Sequence, residues 1–267
     1  MQSRKTFLET LAIIGGIIMQ RVPDFYKYPA MPGKANHGIS HLKLVCNQLD
    51  EQENFYTKIL ELTVQRINDK SIKVQAGTTE IIFYENSSYI DPVYHFAFNI
   101  PENKLEDAIA WLKKKNVTLA KTSNGSEIFD FKNWNAHSIY WQDAAGNVLE
   151  FIARHNLPTT SSTKFSRESI LYASEIGLVV DDVALEIKNI RNNLGLETFK
   201  VHTDNFAAIG NEYNLLIVVQ KNRPWLGGSA NIPAQPFPVV SHLQSGNKKA
   251  DMNFTGYPFS LTTDKAQ

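Results

Sequence analysis

"VYHFAFNIPENKLEDAIAWLKKK", residues 93–115, changes period part-way along. Over Val93–Ile100 polar and apolar residues alternate, as side chains do on the two faces of a strand. Tyr94, Phe96, Phe98 and Ile100 share one face, and His95, Ala97 and Asn99 the other. Past Pro101 the apolar positions Leu105, Ile109 and Leu112 fall three to four apart, which is helical spacing. A strand feeding a helix is therefore expected here, with one imidazole on the face opposite a wall of aromatics. A lone histidine in such a place is more often a hydrogen-bonded filler than a ligand, so its companions decide its meaning.

The same order recurs on both sides. Upstream, "GISHLKLVC" (38–46) alternates, with Leu42, Leu44 and Cys46 opposite His41, Lys43 and Val45. Asp50 is a fair N-cap for "EQENFYTKILEL", whose Phe55, Ile59 and Leu62 make the helical stripe. Short β-rich pieces follow at 64–67, 72–75 and 80–85. After the 105–115 helix come "EIFDF", "HSIYW" and "VLEFIA", the last two joined by the turn "QDAAGN". A third unit starts at Ser174, where "SEIGLVVDDVALEIKNIRNNLGLETF" echoes "SHLKLVCNQLDEQENFYTKILELTV". The Pro-, Gly- and Asn-rich remainder offers a strand or two. The chain thus reads as three β-α-β-β-β modules and a fragment of a fourth, and internal repetition of this kind specifies architecture.

Composition sets limits. Lys+Arg and Asp+Glu both total 27, so the formal net charge is zero, against the basic excess expected of a nucleic-acid binder. Cys46 is the single cysteine, which excludes an intrachain disulfide and a thiolate metal cluster. Residues 1–36 stand apart: a basic start, the nine apolar residues Leu11–Met19, then a Pro- and Tyr-containing linker. Nine are too few to span a bilayer, which takes about twenty. "SRKTFLE" resembles a twin-arginine export signal with Lys5 at the second arginine, so export to the periplasm is expected. The alternative is a cytoplasmic protein with an amphipathic or interfacial N-terminal segment.

With "ISHLKLV", "FYTKILEL", "YHFAFNI" and "SIYWQDAAGNVLEFIAR" in view, residues 38–153 resemble the vicinal oxygen chelate superfamily of glyoxalases, fosfomycin-resistance proteins and extradiol dioxygenases. The last stretch is similar to the family's D-P-x-G-N-x-x-E hairpin, with Ala144 in place of proline. The resemblance implies an α+β fold in which paired modules form a cup-like curved mixed sheet with helices outside. It also implies a divalent metal held by first-strand and last-strand residues. Carried over, the ligands are His41, His95 and Glu150, and in each strand the apolar neighbours alternate with them as a cup requires. One Fe(II), Mn(II), Ni(II) or Zn(II) ion per chain follows. Ile82 stands where glyoxalase I has a further carboxylate, which counts against glyoxalase chemistry.

Further expectations concern the rest of the chain. His137 and Tyr140 on "HSIYW" are the candidate acid/base residues, with a surface histidine and a core tyrosine as the bland readings. Lys43 shares His41's face, Arg154 and His155 are expected to reach water, and Asn147 to serve the turn. The domain division reads 37–154 as the metal-binding domain, 155–169 as linker and 170–267 as a partial second domain. In that second domain Glu175 aligns with His41 but lacks downstream partners, so it is read as a lid, a scaffold or a surface for a homodimer. Three functions remain open. The first is a metal-dependent enzyme on a small vicinal-oxygen substrate, with extradiol-type dioxygenation favoured. The second is a lyase, isomerase or fosfomycin-type transferase or hydrolase, and the third a bleomycin-resistance-like binding protein without catalysis.

Overall fold

The computed structural model describes residues 38–228, 232–246 and 249–265. The expected export signal lies outside them. Four modules follow one plan. The first comprises β1 (Ile39–Val45), α1 (Leu49–Asn54, continued by a wide π-turn Phe55–Ile59), β2 (Thr63–Asn68), β3 (Ser71–Ala76) and β4 (Thr79–Tyr84). The second comprises β5 (His95–Ile100), α2 (Leu105–Lys114), β6 (Phe129–Phe131), β7 (Ala136–Gln142) and β8 (Val148–Arg154). The third comprises β9 (Tyr172–Val180), α3 (Val183–Leu194), β10 (Thr198–Thr203), β11 (Phe206–Asn211) and β12 (Asn214–Gln220). The fourth has no helix among the described residues, only β13 (Val239–Gly246), β14 (Ala250–Asn253) and β15 (Phe259–Lys265). Its three strands exceed the one or two expected, because the prolines before Val239 hide the alternation that follows.

Helix ends obey local chemistry. Asp182 caps α3 by accepting from the Leu185 amide at 2.9 Å, and Gly195 ends it in the left-handed region. Asp50 does not cap α1. Gln48 holds that position, and Asp50 pairs with Arg66 from the first turn.

In each module the first strand runs parallel to the last: β1 to β4, β5 to β8, β9 to β12 and β13 to β15. Modules then join through antiparallel first strands, and here the structure departs from the expected division. β5 pairs with β9, and β1 with β13. Module 2 therefore forms a cup with module 3, and module 1 with module 4, so neither 37–154 nor 170–267 is a self-contained pair. The cups meet where Ile39 lies opposite Ala173. Thr79 fixes that junction, its hydroxyl donating to the Ile39 carbonyl at 2.5 Å and accepting from the Ala173 amide at 2.7 Å. Beside it Gly77, at φ +57°, lets the β3–β4 turn touch the backbone of Leu171, where a Cβ would stand 1.9 Å from the carbonyl oxygen.

The alternation divides the core in two. Phe96, Phe98, Leu149, Phe151, Ile176 and Leu178 belong to one continuous layer with the inner faces of the helices. Tyr140, Val148, Val179, Leu215, Ile217 and Trp225 pack as a separate cluster inside the module 2–3 cup.

Candidate metal centre

Ala97 has Glu150 beside it on β8 and Glu175 beside it on β9. His95 precedes it by two residues, hence on the same face. The small Ala97 side chain leaves the space above it to these three. Nε2 of His95 lies 3.6 Å from Oε2 of Glu150 and 3.8 Å from Oε2 of Glu175, and one ligand atom from each residue lies within 4.8 Å of the other two. All three side chains are buried.

Nδ1 of His95 sits 3.0 Å from the Val148 carbonyl. A carbonyl can only accept, so Nδ1 carries a proton and Nε2 is the nitrogen turned toward the carboxylates. This is the backing a metal-ligating histidine needs. Burial raises the pKa of the Glu150 carboxyl, and the nearby Glu175 charge raises it further. For His95, burial lowers the imidazole pKa, but its bond to Glu175 and the charges of Glu150 and Glu175 outweigh this, and the net shift is upward. Two carboxylates held this close in a buried site call for a compensating cation.

Part of that compensation is built in. Arg154 was expected in water, yet it is fully buried and ion-paired to Glu175, with its guanidinium 5.6 Å from the centre of the Trp134 ring. Arg154 shares the cup face with Glu150, whereas its expected exposure followed only from its place at a strand end.

A cavity of about 160 Å³ opens beside the three residues, walled by Phe131, Trp134, Tyr140, Phe206, Ile217 and Trp225, with Arg223 among its lining. The Trp225 ring centre is 5.5 Å from that of His95. It reaches there because Gly177, two residues past Glu175, has no side chain: a Cβ would meet the indole at 2.5 Å. The repeat also explains what is missing. Val148 is opposite His95 and Glu150 follows by two residues; Leu215 is opposite Glu175 and Ile217 follows by two. An isoleucine thus fills the position related to Glu150, leaving a three-donor set.

The structure brings together His95 and Glu150 of the expected triad and adds Glu175. It places His41 elsewhere, because β1 borders β4, β13 and the start of β9 but never β5. His41 Nδ1 lies 3.4 Å from Glu80, and burial, then His242, then Lys43 lower its pKa to about 4. Tyr140 lies across from Glu150 and lines the cavity, and burial followed by the Glu150 and Glu175 charges raises its phenol well above 10. His137 does not line it. Its Nδ1 is 2.8 Å from Nε2 of the partly exposed His155, which in turn meets Glu102 at 3.1 Å. Lys43 lies over the Tyr84 ring at 4.9 Å. Asn147 serves the turn, accepting from the Tyr94 amide and bonding Asp143.

Residues 38–151 match the family model of the Glyoxalase/Bleomycin resistance protein/Dioxygenase superfamily. This stretch of the chain belongs to that superfamily. Its members are mostly metal-dependent enzymes acting on small molecules. Among solved structures, a putative dioxygenase from Bacillus subtilis is 14% identical, with 87% of this chain and 86% of that one covered at a TM-score of 0.54. A glyoxalase I mutant from Zea mays is 15% identical, covering 85% and 92% at a TM-score of 0.49. A fosfomycin-resistance protein from Listeria monocytogenes, complexed with Mn(II), is 19% identical, covering 43% and 89% at a TM-score of 0.34. No curated protein sequence matches the chain. At 14% identity the likeness to the Bacillus subtilis protein is one of fold.

Proposed function

We propose that the chain is a metal-dependent enzyme acting on a small, oxygen-rich, single-ring substrate, with extradiol-type dioxygenation as its reaction. The observation that carries this reading is the convergence of His95, Glu150 and Glu175 on the wall of an aromatic-lined cavity. One imidazole and two carboxylates are a harder set than the two imidazoles and one carboxylate expected, which favours Fe(II) or Mn(II) over softer choices. A divalent ion held there would supply Lewis acidity toward neighbouring substrate oxygens.

The protein's own contributions follow from position. A cavity of about 160 Å³ is close to the ~150 Å³ that accommodates a benzene ring. Trp225, Trp134 and Phe131 offer ring faces that hold a planar substrate. Tyr140 keeps its proton at neutral pH, so it acts as a hydrogen-bond donor or acid, not a base. His137, outside the cavity, is left without a part in the chemistry.

The test is anaerobic loading with Fe(II), addition of an ortho-diphenol, and measurement of oxygen uptake. Stoichiometric uptake, abolished by Glu150→Gln, is expected. Turnover of other substrates without oxygen would replace this reading by a lyase, isomerase or fosfomycin-type transferase or hydrolase. One further reading has its own support: Arg154 and a protonated His95 balance Glu150 and Glu175 without any ion. A cup that binds its ligand without metal is what that balance favours, and failure to take up any divalent ion would establish it.

A further inference from the structure

The cavity beside His95 holds one charged side chain that no acid balances among the described residues. Its two carboxylates, Glu150 and Glu175, lie against His95, and Arg154 pairs with Glu175. Arg223 lines the same cavity and takes part in neither pair. Burial lowers its pKa from the usual arginine value, and no neighbouring carboxylate opposes the shift. A guanidinium stays charged at neutral pH all the same. Its one side-chain hydrogen bond among the described residues runs from Nη1 to the Pro224 carbonyl, at the long distance of 3.5 Å. Most of its five N–H donors are thus left for a ligand.

The backbone under Arg223 is fixed. Residues 222–225 run antiparallel to 232–234. The Asn222 amide donates to the Ala234 carbonyl at 2.9 Å, the Ala234 amide to the Arg223 carbonyl at 2.9 Å, and the Trp225 amide to the Ile232 carbonyl at 3.0 Å. Alternate residues of an extended segment share a face, and Arg223 and Trp225 both line the cavity. The guanidinium lies over the Phe206 ring, 5.3 Å from its centre. Such stacking holds the plane of the group and leaves its N–H edge free. Phe206 is on β11, two strands over from Glu175 on β9, with β12 and its Ile217 in between. Arg223 therefore meets the cavity from the side away from the carboxylates.

The charges around the cavity select a ligand. Ionised Glu150 and Glu175 carry two negative charges, and Arg154 and Arg223 two positive. A divalent ion at the carboxylate end leaves the site with two positive charges in surplus. Between walls of aromatic rings that surplus favours a ligand that brings negative charge of its own. A guanidinium fork matches a carboxylate with two parallel hydrogen bonds. A cavity of about 160 Å³ takes a ring of benzene size with little to spare, so the acid group is a small one.

We propose that Arg223 is a specificity residue that binds a carboxylate on the substrate, so that the substrates are ring acids bearing neighbouring oxygens and not neutral diphenols. This rests on the reading of the cavity as the substrate site, and its test reads binding instead of turnover.

The test is anaerobic isothermal titration of the full-length, Mn(II)-supplemented protein with 3,4-dihydroxybenzoate and with its neutral amide. The wild type is expected to bind the acid at least about tenfold tighter, the size of a charge-assisted hydrogen-bonded contact. Arg223→Gln should abolish that preference. Arg223→Lys, a point charge without the fork, should keep part of it. Circular dichroism of both variants confirms that lost preference is not lost fold. Equal affinity of the wild type for the two probes, or a preference that survives in Arg223→Gln, would overturn the proposal. Oxygen uptake with an ortho-diphenol alongside equal affinities removes the role of Arg223 and leaves the dioxygenase reading standing. An Arg223-dependent preference without oxygen uptake keeps that role and removes dioxygenation. Binding of neither probe overturns both.

Discussion

The carboxylate of Glu175 stands 3.8 Å from Nε2 of His95, although the two residues come from different modules and opposite sides of the 155–169 connection. Their meeting depends on β5 pairing with β9 rather than with β1. The cluster is thus assembled from two modules, and the C-terminal half supplies one of its three side chains.

Arg154 offsets Glu175 in this arrangement, so Arg154→Met leaves two buried carboxylates with only His95 between them. Breaking a buried ion pair from one side costs about 3–5 kcal/mol. Chemical denaturation of the metal-free variant should show a loss of that size. Saturating divalent metal should recover part of it, since a ligand bound only by the folded state stabilises by mass action. A variant as stable as wild type would mean that Arg154 does not compensate Glu175.

Gly177 makes room for Trp225, which closes the cavity over His95. Gly177→Ala places a methyl inside the indole's volume, and overpacking of this kind costs about 1–3 kcal/mol. The expected outcome is a red-shifted tryptophan emission together with weaker binding of aromatic ligands. Unchanged emission and affinity would show that Trp225 does not shape the pocket.

Tyr56 and Tyr94 are buried in the apolar layer, and burial, as the largest cause, raises both phenols well above 10. The folded state therefore keeps protons that the unfolded chain releases near pH 10. Stability is full below that value and falls as pH rises through and beyond it. Absorbance at 295 nm should show these tyrosines ionising together with loss of the folded circular-dichroism signal, not ahead of it. Early ionisation in an intact fold would contradict their burial.

Much of this architecture is legible in the sequence, because alternation and helical spacing are local properties. "VYHFAFNI" places His95 on the cup face without reference to any other segment, and "GNVLEFIAR" does the same for Glu150. What periodicity cannot carry is which first strand lies beside which. β5 pairs with β9 and not with β1, a long-range choice that alternation within a single strand does not encode. That ambiguity groups His41 with His95 and leaves Glu175 as scaffold, whereas Arg154 reads as exposed only because it ends its strand. A signal for Glu175 was present: a carboxylate inside the apolar run "ASEIGLVV", at the first-strand position of the third repeat. The fourth module was obscured because no helix among its described residues announces it.

If His95, Glu150 and Glu175 together hold a divalent ion, each of them contributes to metal affinity at that centre. Isothermal titration with Mn(II) on the metal-free wild type, His95→Ala, Glu150→Gln and Glu175→Gln, each checked for native circular dichroism, separates ligands from bystanders. One tight Mn(II) site is expected in the wild type, weakened at least about tenfold by each of the three changes. A Mn(II) isotherm unaltered by Glu175→Gln would contradict it.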